Sequence, residues 1–342
     1  MTSHRRAISA PKKRLKWRVI NALARGAERL AIDQVLNRLV RNKTSLTVLT
    51  YHRVAEAHDY GHLDPALISA SPDGFAMQLD YLKERYNFVD AQLVLAAARG
   101  ESSLPEHPML ITFDDGYEDF ASNAWPELKR RSIPAVLFVS TQNVETQSGY
   151  WWDQLHLLLK QMGRQNIRIP SLSSDPLPAA EHATKKRLKV WLKSLRPDLA
   201  QEWIDCQSKT VGVAPAECSI LDWSALNSLA AQGVTICPHT QTHPIMTRLC
   251  SRQVAQEISG SYEDLLSNIG EALPLFAYPS GYVDDRTREL CAQSPMELAF
   301  TTKFGSNKLT EVDPLRLRRI NVPRESEPVF LGFQAIVARL RG

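Results

Sequence analysis

Apolar residues in this chain cluster in short runs, separated by longer stretches in which they recur every three or four positions. The runs are Leu46–Tyr51, Met109–Phe113, Ala135–Ser140, Val234–Cys237, Leu275–Tyr278, Leu298–Thr302 and Leu315–Val322, with a shorter one beginning at Phe88-Val89. Short apolar runs bounded by polar or turn residues predict buried strands. The stretches between them predict helices. Phe75, Leu79 and Leu82 share one face of a helix over Phe75–Tyr86, and similar spacing predicts helices over Leu93–Arg99, Glu118–Arg131, Trp223–Ala231, 251–269 and Asp285–Ala292, and at the C-terminus. Seven or eight β–α units, with no Gly-rich phosphate turn, predict a parallel α/β barrel over a doubly wound nucleotide-binding sheet.

Two segments depart from this rhythm. Residues 141–215 replace strands with a helix opening at Trp151-Trp152-Asp153, a Pro/Ser-rich loop at 170–180 and a Lys-rich helix over Glu181–Leu195, which reads as a helical insertion. Residues 1–43 form a basic extension ahead of the barrel at 44–342, and within it 17–40 has the pattern of an amphipathic helix with an arginine-rich face. Such a helix suits an anionic membrane surface and equally suits packing on its own domain, so peripheral membrane contact through 17–40 stays open.

Charge sharpens that division. Of 41 Lys/Arg and 37 Asp/Glu, residues 1–43 hold 12 and 2, leaving 29 against 35 in the rest. The mildly acidic body disfavours nucleic acid as a partner. Five scattered cysteines without a C-x-x-C pair fit a reducing compartment, and charged residues interrupt the apolar stretch after the basic start. A cytoplasmic location follows as the expectation, with the inner face of a membrane as its variant.

The candidate chemistry lies where strands end. The run Met109–Phe113 stops at Asp114-Asp115-Gly116. Adjacent strand residues point to opposite faces, so both acids serve one site only if the strand ends there, where Gly116 allows a sharp turn. The run Val234–Cys237 likewise leads into Pro238-His239-Thr240-Gln241-Thr242-His243-Pro244. In a barrel of parallel strands these two stretches meet at the carboxyl-end rim. One carboxylate and two imidazoles leave coordination positions open, as a catalytic zinc site requires, and a second carboxylate is then free to take a proton from water.

The segments Thr-Phe-Asp-Asp-Gly (112–116) and His-Thr-Gln-Thr-His-Pro (239–244) resemble the polysaccharide deacetylases, the NodB-homology domain of carbohydrate esterase family 4, over roughly residues 46–322. The resemblance implies a distorted (β/α)7 barrel that hydrolyses N-acetyl groups of an amino-sugar glycan or lipid-linked precursor and releases acetate. It implies Asp114 as catalytic base and Asp115, His239 and His243 as ligands of a divalent metal, zinc first among them. The family's Arg-x-Pro-Tyr-Gly motif reads here Ala277-Tyr278-Pro279-Ser280-Gly281, so its arginine is missing and serine stands at the tyrosine position. Ser280 keeps the expected oxyanion role through its backbone N–H. Arg319 shares a strand face with Leu315 and Leu317, so it is the candidate to orient the base.

The family's late Leu-x-His motif is absent, since no histidine follows His243. His52, at the end of the first run, is the candidate acid, and Tyr-His at this position resembles the exopolysaccharide deacetylase branch. Trp152 and Tyr278 are the expected substrate contacts. The competing reading is a glycan-binding or assembly protein that has lost catalysis. An iron oxygenase with two histidines and one carboxylate ranks below both, because its carboxylate usually lies close in sequence to one histidine.

Overall fold

The computed structural model describes residues 44–341 except 57, 58, 60, 170, 174, 218 and 325. The helix expected at 17–40, and the membrane contact attached to it, lie outside the described residues.

Seven strands carry the fold: β1 Thr47–Tyr51, β2 Pro108–Phe113, β3 Ala135–Val139, β4 Thr235–Pro238, β5 Leu275–Ala277, β6 Leu298–Phe300 and β7 Ile320–Asn321. Five of them form a parallel sheet in the order β7-β1-β2-β3-β4. Strands β5 and β6 pair with each other, and a parallel bridge from Phe300 to Leu317 joins β6 to the approach to β7. Between β4 and β5 the link is a side chain, since His239 reaches the carbonyl of Ala277. This is the distorted (β/α)7 barrel expected from the sequence.

Alternation along the strands sorts the core into two layers. Val48, Leu110, Val136, Phe138, Phe300 and Leu317 meet in an inner cluster drawn from strands all round the barrel. Met109, Ile111 and Phe113 face outward, against Phe75, Leu79 and Phe120. Asp114 is in phase with Leu110 and so arrives at the rim on the inner side. A one-residue slip of β2 would turn it outward and bury the wrong set of side chains.

The outer layer includes α1 Pro72–Lys83, while the expected insertion supplies α2 Trp151–Met162, α3 His182–Leu192 and α4 Pro197–Val211. These three helices build their own apolar cluster around Leu155, Leu158, Leu188 and Ile204. Helix α5 Ser251–Ile269 follows β4, and α6 Pro328–Arg341 closes the chain.

Several elements differ from the sequence reading. Helix α4 was not anticipated, although Pro197 at its start and Gly212 in left-handed conformation at its end mark its limits. The run near Phe88 is a two-residue strand, Asn87–Phe88, that pairs only with the first residues of β2 and is not a stave of the barrel. The helix expected from Glu118 begins with a π-helical turn, Phe120–Ala124, before Trp125–Arg130. The last run is not one strand. Pro314–Arg316 is a 3-10 turn, and Leu315 packs with Phe276 and Met296 in a separate cluster while Leu317 points into the barrel.

Candidate active site

All seven strands deliver their carboxyl ends to one rim, and a cleft of about 300 Å³ opens there, with His52, Asp114, Asp115, His239, His243 and Ser280 on its walls. At the end of β2 the backbone turns through two consecutive left-handed residues, Asp115 (φ 76°) and Gly116 (φ 69°). That turn brings the second carboxylate back to the side already occupied by the first. Glycine meets the requirement at 116 without strain, whereas Asp115 bears a conformational cost tolerated at a site.

Asp114 is buried and held by Arg319, whose Nη1 and Nη2 donate to Oδ1 and Oδ2 at 2.8 and 2.7 Å. Arg319 Nε donates to the carbonyl of Thr301 at 2.9 Å, which fixes the plane of the guanidinium. Bidentate geometry of this kind orients a carboxylate as well as neutralising it. Burial alone would raise the Asp114 carboxyl; the charges of Arg319 and His239 and the guanidinium hydrogen bonds outweigh it and hold it below the usual range. The arginine missing at position 277 thus has a counterpart from another strand. Leu317 and Arg319 do share an inward face, although Leu315 does not share it with them.

The ligating atoms of Asp115, His239 and His243 lie within 4.8 Å of one another. Oδ1 of Asp115 is 3.6 Å from His239 Nε2 and 3.3 Å from His243 Nε2. That oxygen is buried and makes no hydrogen bond, an arrangement that is costly without a cation. His239 Nδ1 donates to the carbonyl of Ala277 at 2.6 Å, so the lone pair of the neutral ring sits on Nε2, facing Asp115. Burial lowers the His239 pKa to about 4, with the nearby His243 adding to the shift and the two aspartates opposing it, so this ring is neutral at ordinary pH. Two imidazole nitrogens and one carboxylate oxygen aimed at a common point, with room on the cleft side, fit a divalent ion with open positions.

The histidine loop is rigid for visible reasons. Thr240 and His243 both adopt positive φ (70° and 55°). Glu257 of α5 accepts from the backbone N–H groups of Gln241 and Thr242 at 2.8 and 3.0 Å, and from the Thr242 hydroxyl at 2.6 Å. The start of the insertion supports the same loop. Trp152 meets the His243 ring edge-on at 4.7 Å and stacks on Tyr150, whose hydroxyl donates to the carbonyl of Asp115 at 2.7 Å.

Not every expected residue reaches the cleft in the expected way. His52 lines it, half-buried, with its backbone N–H on Ser69 Oγ. Ser280 lines it in left-handed conformation (φ 55°, ψ 9°). A Cβ on the neighbouring Gly281 would collide with Thr302, so the turn requires glycine there. Trp152 is almost fully buried and serves as a wall behind His243. Tyr278 does not reach the site: its ring is buried against Phe276 in the cluster that holds Leu315, on the other side of β5. A strand residue next to inward-facing Ala277 must point that way, and the alternation in sequence carried that signal. The expected substrate contact by Tyr278 is corrected on this ground.

Several cleft residues were not assigned from the sequence, among them Trp151, Lys189 and Lys193. Trp151 is half-buried beside Trp152, and Lys189 and Lys193 reach in from the end of α3. Lysines at 185, 189 and 193 repeat every four residues, which places them on one helix face. That spacing was the available signal, and it reads equally as a solvated face.

The sequence matches the family described as polysaccharide deacetylase over residues 101–299. No curated protein matches it. The fold is similar to that of the deacetylase PplD of Streptococcus pyogenes, solved with acetate, with a TM-score of 0.59 and 19% identity over 85% of this chain and 98% of that one. IcaB from Ammonifex degensii gives 0.57 and 22%, over 86% and 97% of the two chains. A de-N-acetylase from Aggregatibacter actinomycetemcomitans gives 0.55 and 19%, over 85% and 99%. At these identities the likeness is one of fold.

Proposed function

The chain belongs to the polysaccharide deacetylase family and is therefore an N-deacetylase, and from that premise we propose that it removes acetyl groups from an N-acetylated amino-sugar glycan by metal-dependent hydrolysis at the rim site. Asp115, His239 and His243 would hold the divalent ion, and zinc is the metal we assign. The observation that carries the reading is the buried Asp115 oxygen facing two imidazole nitrogens, with a second, separately neutralised carboxylate beside it.

A divalent ion at such a site lowers the pKa of a bound water to about 7 and polarises a carbonyl. Asp114 takes the proton of the attacking water. It is ionised, because its pKa is held down, and aimed, because Arg319 grips both oxygens. The Ser280 backbone N–H serves the oxygen on which charge develops. His52, which also lines the cleft, returns a proton to the leaving amine. Trp152 shapes the pocket for the sugar ring and keeps His243 in place, and no substrate role is assigned to Tyr278.

The test is acetate release from N-acetylated oligosaccharides by the zinc-loaded protein and by Asp114→Asn. Loss of a positioned general base lowers turnover by about 10²–10⁴-fold, so the variant should fall by at least that lower bound while still binding zinc. Equal turnover by the two proteins would remove Asp114 from the mechanism.

A further inference from the structure

We propose that Lys193 is a catalytic residue of this site, its ammonium stabilising the negative charge that gathers on the acetyl oxygen during hydrolysis. The inference rests on the deacetylase reading above and adds to it a group that the helical insertion supplies.

Lys193 follows the last residue of α3 and reaches across the cleft, where its Nζ donates to Ser280 Oγ at 2.9 Å. Its two predecessors on the same face have a carboxylate partner. Lys185 and Lys189 both pair with the buried carboxylate of Asp64, Lys185 at 2.8 Å. Among the described residues Lys193 has no carboxylate within ion-pair distance, and its one polar contact is a neutral hydroxyl. The chain nevertheless holds this ammonium half-buried in a cleft already crowded with ionisable groups. Burial, with the charge of Lys189 adding to it, pulls its pKa down against the opposing charge of Asp115.

A cation kept partly desolvated with no carboxylate in ion-pair contact is best accounted for by a negative charge that arrives later. The protein's own carboxylates in the cleft are committed. Asp114 is paired with Arg319, and Asp115, whose charge reaches Lys193 only from beyond ion-pair distance, is aimed at the proposed ion site. What remains is charge on the substrate. Its position follows from Ser280, because the left-handed turn assigned to the developing oxyanion is the turn on which Lys193 docks. The small side chain at 280 leaves room for that docking.

In the reaction, the water oxygen bonds to the acetyl carbon as the carbonyl π pair moves onto oxygen, and Asp114 takes the proton. The pair then returns to re-form the carbonyl, the carbon–nitrogen bond breaks, and the amine leaves with a proton from His52. Lys193 gives up no proton in this sequence. It acts by charge and hydrogen bonding, most strongly when the oxygen is most negative.

The experiment compares the zinc-loaded wild type with Lys193→Met and Lys193→Arg, using a neutral N-acetylglucosamine oligomer for steady-state acetate release and acetate titration followed by NMR for binding. Loss of an oxyanion donor predicts kcat down on the order of 10²-fold in K193M with KM nearly unchanged, and partial recovery in K193R. Acetate, which carries anionic charge on the same oxygen, should bind about tenfold more weakly to K193M at unchanged zinc affinity. A K193M enzyme with wild-type kcat overturns the proposal. So does a change confined to KM, which would make Lys193 a ground-state contact. Should the wild type release no acetate from any oligomer, the deacetylase reading fails by itself, and acetate binding decides the role of Lys193: equal affinity in wild type and K193M sinks it, and a tenfold loss sustains an anion-facing ammonium.

Discussion

Asp114 and Arg319 lie 205 residues apart in sequence and form a buried bidentate ion pair at the centre of the rim. Burying two charges is expensive, and on the proposed mechanism the pair serves to aim a base. Removing one partner exposes that expense. Arg319→Met should lower unfolding stability by about 3–5 kcal/mol, because Asp114 is left buried and unpaired. Adding Asp114→Asn in the same background should recover part of the loss, since a neutral amide needs no counter-ion. Urea unfolding of the wild type, both single variants and the double variant measures this, and strictly additive losses would show that the two side chains are not coupled. At this scale the sequence was most legible where chemistry demands a position. Two acids before a glycine at a strand end, and two histidines at the end of another, announced themselves. Side chains whose direction depends on local backbone were harder. Arg319 points inward with Leu317 as expected, but the 3-10 turn at Pro314–Arg316 sends Leu315 to another cluster. Tyr278 turns away because its neighbour Ala277 turns in.

The elements contribute through the insertion, which does more than decorate the barrel. Asp153 of α2 accepts from the Asp64 backbone N–H at 2.6 Å and from the Tyr117 hydroxyl at 2.8 Å, while the Asp64 side chain receives Lys185 and Lys189 of α3. One buried acid therefore sets where α3 sits, and with it where Lys193 reaches. Burial pushes the Asp64 carboxyl up, but the charges and hydrogen bonds of Lys189 and Lys185 prevail and bring it from the usual 3.8 to about 2. A folded pKa below the unfolded one contributes stability that is fully present above about pH 4 and is lost as pH falls through about 2. Asp64→Asn should cost on the order of 2 kcal/mol at pH 7, and its stability gap from the wild type should close between about pH 4 and pH 2. Denaturant titrations across that range measure the gap, and a gap independent of pH would mean that Asp64 acts by packing alone. Little of this was readable beforehand. Lysines spaced by four look the same whether they face water or a buried acid, and α4, marked only by Pro197 and Gly212, went unread in a stretch that had lost the strand rhythm.

For the whole molecule, the governing fact is that parallel strands place all their carboxyl ends on one rim, so residues from β2, β4 and the approach to β7 converge although the chain separates them widely. The alternation of apolar runs conveyed that architecture because β1, β2, β3, β5 and β6 are buried along their whole length, on both faces. The exceptions, the short Asn87–Phe88 strand and the broken last run, are places where pairing is local and the run too brief to show which neighbour it serves. On the proposed function, the rim gathers Asp115, His239 and His243 around one divalent ion and leaves Asp114 free of it. Calorimetric titration of the metal-free protein with zinc, run on the wild type, Asp115→Asn, His243→Ala and Asp114→Asn, tests this directly. One tight site per chain is expected in the wild type and in D114N, and its loss in D115N and H243A. Undiminished binding by D115N and H243A, or no binding by the wild type, would contradict it.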